Sequence, residues 1–198
     1  MQIESTLLWA EESFMYPRVM CLEGYNVADE PPDTPTAKRW MRLFTTMSLT
    51  CSDGLVLFRT HNGMGGGHHW YEFYDTDLGR PIGTKAQQYQ DIDGLFIREF
   101  TNGWAVYNRS GKNQAITLPR TSMGVSSNRQ DITHLLTDLD GEIYLRKGKP
   151  FDLNRDGTVN VLDLILVSQH FDTTDGDING DGTTNMLDLT LVAQQFSQ

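Results

Sequence analysis

Two stretches near the end of the chain pass in the same way from clustered polar residues to a dense apolar run. DLNRDGTVN gives way to VLDLILV at residues 161–167, and DINGDGTTN gives way to MLDLTLV at residues 186–192. The longer copies, DLNRDGTVNVLDLILVSQHF from Asp152 and DINGDGTTNMLDLTLVAQQF from Asp177, align without a gap at an offset of 25 residues, which makes the segment an internal repeat. Each run is predicted to be a short helix following a polar loop, and Lys147 to Pro150 rules out a helix entering the first loop. Val161, Leu162, Leu164, Ile165, Leu166 and Val167, with Met186, Leu187, Leu189, Leu191 and Val192, are more apolar side chains than one helix face can bury. Mutual packing of the two helices accounts for about half of them, and the rest point to a partner surface.

Upstream the pattern changes. Between residues 93 and 148 it is that of short antiparallel strands: 95–101 and 104–109 flank Asn102-Gly103, a strong two-residue hairpin signal, and Ser110-Gly111-Lys112 turns into 115–118. Asp140-Gly141 is expected to join 134–139 to 142–146. Earlier still, residues 15–22 and 55–60 read as buried strands on either side of a helix. Thr34 is placed to cap that helix and Pro35 to open it, with Trp40, Leu43, Phe44 and Met47 on one face. Strand, helix, strand is the unit of α/β folds. The expectation is a multi-domain chain: a partial α/β, barrel-end segment over 1–92, a small antiparallel β-domain over 93–147 with a linker at 147–150, and an all-α module with two loops over 148–198.

Charge sharpens this division. From residue 151 onward eight aspartates and one arginine supply −7 of the net −10, a block that repels nucleic acid and anionic membranes. No stretch approaches the roughly 20 apolar residues of a membrane span. The first twelve residues lack the basic-then-apolar pattern of a secretion signal, which leaves a cytoplasmic chain or a missing N-terminus. Cys21 and Cys51 match no metal or redox spacing; buried free thiols are expected, with one disulfide as the alternative.

The aspartates of the acidic block recur at fixed spacing, which a solvated tail would not require. Each copy opens with a twelve-residue loop of EF-hand type, in which oxygens come from positions 1, 3, 5, 7, 9 and 12. These are Asp152, Asn154, Asp156, the Thr158 carbonyl, Asn160 and Asp163, then Asp177, Asn179, Asp181, the Thr183 carbonyl, Asn185 and Asp188. A hard cation takes about six to eight oxygens, and a chain wrapping it aims only alternate side chains inward. Position 6 needs positive φ, for which Gly157 and Gly182 are suited. Position 12 of such loops normally holds a bidentate glutamate; here it is an aspartate, one methylene shorter. Two bound Ca²⁺ ions are expected.

These paired loop-helix repeats, over residues 151–196, resemble the type I dockerin family, modules that plug polysaccharide-degrading enzymes into cohesin domains of a scaffold. The resemblance implies an extracellular setting, a cohesin-like partner, and contacts through Val161, Leu162, Ser168 and Gln169 in the first copy and Met186, Leu187, Ala193 and Gln194 in the second. Hydroxyl residues stand at loop positions 10 and 11 in the best-known members, where this chain has apolar ones.

The segments HHWYEFYDTDLGRPIG, GLFIREFTNGWAVYNRSG and HLLTDLDGEIYL resemble the C-terminal end of hypothetical glycoside-hydrolase-like proteins, which implies a (β/α)-barrel followed by a small β-domain. A complete barrel needs about 250 residues, far more than precede residue 93, so the catalytic centre is expected to be incomplete. Were the strands barrel strands, Glu23 would sit at a C-terminal end, with Asp29, Glu30, Glu72, Asp75 and Asp77 as candidate second carboxylates. Trp70, Tyr71, Phe73 and Tyr74 are candidates to stack on sugar rings, although an aromatic run beside a strand is more often core. His61, His68 and His69 lack the further ligands of a metal site, and 63–67 is glycine-rich without the Lys-Ser/Thr of a P-loop. The sequence therefore predicts a calcium-binding docking module anchoring a carbohydrate-active protein, with polysaccharide as a further candidate partner. A working glycoside hydrolase and a calcium-stabilised module without external partner are the alternatives.

Overall fold

The computed structural model describes residues 3–15, 21–25, 31–53, 55–59, 69–146, 151–154, 156 and 158–196. They form two compact units, Met1–Leu145 and Arg146–Gln198.

The first unit opens with helix α1, Ile3–Ser13, followed by strand β1, Cys21–Tyr25, helix α2, Pro35–Cys51, and strand β2, Leu55–Arg59. β1 and β2 pair in parallel, Cys21 opposite Leu55 through Tyr25 opposite Arg59. They make a two-stranded sheet. α2 starts as its sequence requires: the Thr34 side chain accepts from the Ala37 N–H at 3.1 Å, and Pro35 opens the first turn. Its later turns bury hydroxyls without loss because Thr45, Thr46 and Thr50 donate back to the carbonyls of Met41, Arg42 and Thr46, each at 2.8 Å.

A short 3₁₀ turn, Glu72–Asp75, leads to strands β3 (Leu95–Phe100), β4 (Gly103–Asn108), β5 (Gln114–Gly124), β6 (Gln130–Leu136) and β7 (Asp140–Arg146), arranged β3-β4-β7-β5-β6. Strand β4, between β3 and β7, is buried at every residue and feeds both faces. Trp104 and Val106 join Leu95, Ile116 and Tyr144 in one cluster, while Ala105 packs with Met41, Phe58 and Ile143 in another. This is the period-2 alternation of a strand covered on both sides. Position 92/93 falls inside this unit, where α2 packs on β3 and β4.

Three expected features are corrected. Phe100 pairs with Gly103, so the hairpin loop is Thr101-Asn102 and Gly103 belongs to the strand. A Cβ there would stand 2.1 Å from the Tyr144 carbonyl oxygen, so that glycine serves strand approach. Residues 134–139 and 142–146 do not form one hairpin: β6 pairs with β5, and β7 pairs with β4, Asp140 opposite Asn108. Gly141 lies where a Cβ would meet Thr46 Oγ1 at 1.9 Å, so it serves the contact with α2 instead of a tight turn. Of the strand expected at 15–22, Met15 is exposed and outside any strand, Cys21 and Leu22 belong to β1, and 16–20 lie outside the described residues.

Helix α1 was not expected. Its buried residues Glu4, Leu7, Ala10 and Glu11 recur at helical spacing, but two are carboxylates. Glu4 accepts from Tyr107 Oη at 2.6 Å and from Arg109 Nε at 2.5 Å, and Glu11 is engaged by Lys85 and by the Asp53 N–H. Cys51 is a buried free thiol whose pKa burial pushes up. The side chain of Cys21 lies outside the described residues.

In the second unit, α3 (Val161–Gln169) packs on α4 (Met186–Ala193), and each follows one of the polar loops. The expected linker at 147–150 lies outside the described residues.

Candidate functional site

The two polar loops fold through one bonding scheme, repeated at the 25-residue offset. In the first, Asp156 N–H donates to Asn154 Oδ1 at 2.9 Å and Thr158 N–H to Asp156 Oδ1 at 2.8 Å. In the second, Asp181 N–H donates to Asn179 Oδ1 at 2.8 Å and Thr183 N–H to Asp181 Oδ1 at 3.0 Å. Short side chains accepting from the backbone two residues on are what make Asp and Asn turn formers. Here they coil the chain so that positions 3, 5, 7 and 9 of each loop are joined by hydrogen bonds. In the second loop Asp177 Oδ2 accepts from Gly182 N–H at 2.8 Å, and Gly182 has φ of +95°, the left-handed conformation expected at position 6. Gly157 lies outside the described residues.

Asp163 and Asp188, at position 12, are inaccessible to solvent and close the loops. Asp188 Oδ1 accepts from the N–H groups of Ile178 (2.8 Å) and Asn179 (3.0 Å), and Oδ2 from Asn185 N–H at 2.8 Å. Asp163 does the same with Asn154 and Asn160. Each carboxylate thus ties the start of its loop to the start of the following helix and completes a capping box with Asn160 or Asn185. Burial pushes the Asp188 carboxyl up, but the backbone N–H groups more than offset it and hold it below the usual carboxylate range. Asp181 is held low by the hydrogen bond from Asn179.

Asn160 and Asn185 have a divided role. Their Oδ1 atoms cap the helices, accepting from Leu162 and Leu187 N–H at 2.8 Å. Their Nδ2 atoms donate inward: Asn185 to Asp181 Oδ2 (3.3 Å) and the Thr183 carbonyl (2.9 Å), Asn160 to Asp156 Oδ2 (3.5 Å) and the Thr158 carbonyl (3.2 Å). Position 9 therefore faces the loop interior with its amide nitrogen.

The donors fit a hard divalent cation. Positions 1, 3, 5, 7 and 12 offer oxygens that alternate along the chain, and those of positions 5 and 7 already converge on the position-9 amide in each loop. Among the described residues no group of three His, Cys, Asp or Glu side chains forms a metal cage by itself. In these loops asparagine amides and backbone carbonyls stand between the aspartates.

Residues 150–197 match the family model of the dockerin type I domain. Comparison with curated proteins gives no match, and neither does comparison with solved structures. Dockerin type I domains in general bind calcium and cohesins, and residues 150–197 are the part of this chain similar to them. On α3 and α4 Val167 and Val192 are fully buried and Leu164, Leu166, Leu189 and Leu191 half-buried, which is the share that mutual packing was expected to cover. Val161, Leu162, Ile165, Met186 and Leu187 stay exposed, between 46% and 65%, and Ser168, Gln169, Ala193 and Gln194 are exposed as well.

The remaining sequence candidates lie in the first unit. Glu23 is an exposed residue in mid-strand β1, opposite Leu57. Asp29, Glu30, His61, His68 and 63–67 lie outside the described residues. Glu72 and Asp75 fall on the 3₁₀ turn, with Asp77 beyond it. The aromatic run divides: Tyr71 and Phe73 are core, Tyr74 packs against that core, and Trp70 is 68% exposed.

Proposed function

We propose that residues 146–198 are a calcium-loaded docking module that anchors the upstream unit to a cohesin-type partner outside the cell, within a polysaccharide-degrading assembly. One observation carries this reading: the same pair of positions at the start of each helix, Val161-Leu162 and Met186-Leu187, exposes large apolar side chains. Exposed apolar pairs that recur at equivalent places of a repeat form a surface suited to partner burial. Two ions are proposed, one held by Asp152, Asn154, Asp156, the Thr158 carbonyl, Asn160 and Asp163, the other by Asp177, Asn179, Asp181, the Thr183 carbonyl, Asn185 and Asp188. The parallel β1-α2-β2 unit supports reading 1–92 as the end of a barrel from a carbohydrate-active protein.

The test is capture of the full chain by immobilised cohesin domains with calcium and with excess chelator. Capture that depends on calcium, and is lost when Val161, Leu162, Met186 and Leu187 are all changed to Asp while helix content stays, is the expected result. Unchanged capture by that variant would place docking elsewhere.

A further inference from the structure

Beside α2 in the first unit lies an open cleft of about 760 Å³, within the size range of small-ligand sites. Its apolar floor includes Met41, Tyr71, Phe73 and Val125. Trp70, at its edge, is the most exposed tryptophan of the chain at 68%, yet its orientation is fixed. Its indole N–H donates to both Asp75 oxygens, at 3.0 and 3.1 Å, and Tyr74 meets the ring edge-on at 5.5 Å. With the N–H already satisfied, what the indole offers a ligand is apolar ring surface.

Tyr71 supplies a second, independent sign. The residue is 5% exposed and lines the cleft, and its hydroxyl has no hydrogen-bond partner among the described residues. A buried hydroxyl without a partner costs about 1–3 kcal/mol, a cost that a ligand acceptor would remove. Burial, with the charge of Asp33 nearby, pushes its pKa up to about 12, so it remains a donor at neutral pH. Around the rim stand two carboxylates, Asp33 and Glu72, and two cations, Lys38 and Arg42. Arg42 is already bridged to Asp140.

An anion or a cation would meet groups of its own sign on this rim. A purely aromatic ligand would desolvate them without replacing their hydrogen bonds. A sugar ring avoids both penalties: its C–H face lies flat on an indole, and its hydroxyls both donate to carboxylates and accept from ammonium, guanidinium and phenol groups. We propose that this cleft binds a neutral pyranose chain, with Trp70 as stacking platform and the Tyr71 hydroxyl as donor.

Titration of the full chain with cellohexaose, xylohexaose, mannohexaose and the anionic oligogalacturonate, followed by calorimetry and tryptophan fluorescence, tests it. At least one neutral hexasaccharide is expected to bind and to shift the emission to shorter wavelength. Trp70→Ala should weaken that binding at least about tenfold and abolish the shift. Tyr71→Phe should weaken it about fivefold with near-ultraviolet circular dichroism retained. No neutral hexasaccharide bound below about 10 mM, tighter binding of oligogalacturonate, or binding indifferent to Trp70→Ala would each overturn the proposal. No cohesin is present in this measurement, so it stands or falls separately from docking.

Discussion

In residues 1–145 the largest wholly buried side chains are Tyr107, Tyr144, Phe58, Leu95 and Ile116; in residues 146–198 they are Val167, Val192 and Thr184, with Asp163 and Asp188 equally inaccessible. The first unit is held by apolar clusters on both faces of a sheet, and its buried charges among the described residues are ion-paired, as Glu4, Glu11, Arg98 and Asp140 are, or hydrogen-bonded, as Glu142 is to Ser126 and Ser127. Among its described residues the second hides two small valines, Thr184 and three carboxylates, Asp152, Asp163 and Asp188, and each of its loops carries three aspartates. Burying apolar area stabilises by about 25 cal/mol per Å², so the first unit carries its own stability. A module of this size with so small a core is in the range where a metal or disulfide is usually needed, and it contains no cysteine. One chain thus holds a unit stabilised by packing and a unit whose folding free energy is expected to be ion-binding free energy.

Removing calcium is the harshest test of that contrast, and the chain carries a convenient reporter. Every Trp and Tyr lies before residue 146, whereas Phe151, Phe171 and Phe196 lie after it, so the Trp and Tyr bands of near-ultraviolet circular dichroism read the first unit alone. Excess chelator is expected to remove the helix signal of α3 and α4 completely while leaving the Trp and Tyr bands unchanged. Retention of full helix content in chelator would erase the distinction.

The converse perturbation targets α1. Glu4→Gln removes a buried charge and leaves Arg109, with Tyr107, facing a neutral group; a loss of about 3 kcal/mol is expected, visible in the aromatic bands and absent from calcium titrations. The same contact sets a pH dependence. Burial raises the Glu4 carboxyl, but the hydrogen bonds from Arg109 and Tyr107 more than offset it, and the folded-state value is lowered. A lowered carboxylate stabilises above the unfolded value of about 4.3 and ceases to do so as pH falls through the folded value. The protection factors of the α1 amides, that is, their exchange rates relative to the intrinsic rate at each pH, should therefore be constant from pH 7 down to about pH 4.3 and fall only below it.

How much of this was legible in the sequence follows the same division. The paired loop-helix repeat was readable because its turn and cap chemistry is local, within twelve positions, and the repetition made chance an unlikely source. The start of α2 was readable for the same reason, Thr34 and Pro35 being short-range signals. Sheet order was not: Asp140-Gly141 carries a turn signature, yet Gly141 answers to Thr46, far away in the chain. α1 was hidden because Glu4 and Glu11 look solvated until Arg109, Tyr107 and Lys85 are known to face them. The helix-capping use of the Asn160 and Asn185 oxygens could have been found, since Asn before an apolar run with Asp three residues on is a capping-box pattern.

Gly141→Ala sharpens the long-range case. The added Cβ would stand 1.9 Å from Thr46 Oγ1 and 2.8 Å from the Arg42 carbonyl, and overpacking of this kind costs about 2 kcal/mol. Thermal unfolding followed by the aromatic bands should show the loss, with partial recovery in Thr46→Ala, and the calcium midpoint should not move.

The smallest expected effect probes the second unit from within. Asn185 joins two functions in one amide: Oδ1 caps α4 through Leu187 N–H, while Nδ2 bridges Asp181 and the Thr183 carbonyl. Asn185→Ala removes both, and loss of a cap of this type costs about 1 kcal/mol. If folding and ion binding are one equilibrium, that loss appears as a calcium midpoint about fivefold higher, not as a change in a calcium-free unfolding curve. Asn185→Asp keeps the capping oxygen but replaces the inward donor with an acceptor. In chelator that acceptor adds repulsion beside Asp181; with calcium it adds a ligand oxygen. The two variants should therefore move the midpoint in opposite directions, Ala to higher calcium and Asp to lower, as read by far-ultraviolet circular dichroism during titration from a chelated start. Equal upward shifts would mean that the amide donor, rather than the cap, holds the loop together, and that this unit owes more to its own hydrogen bonds than to the ion.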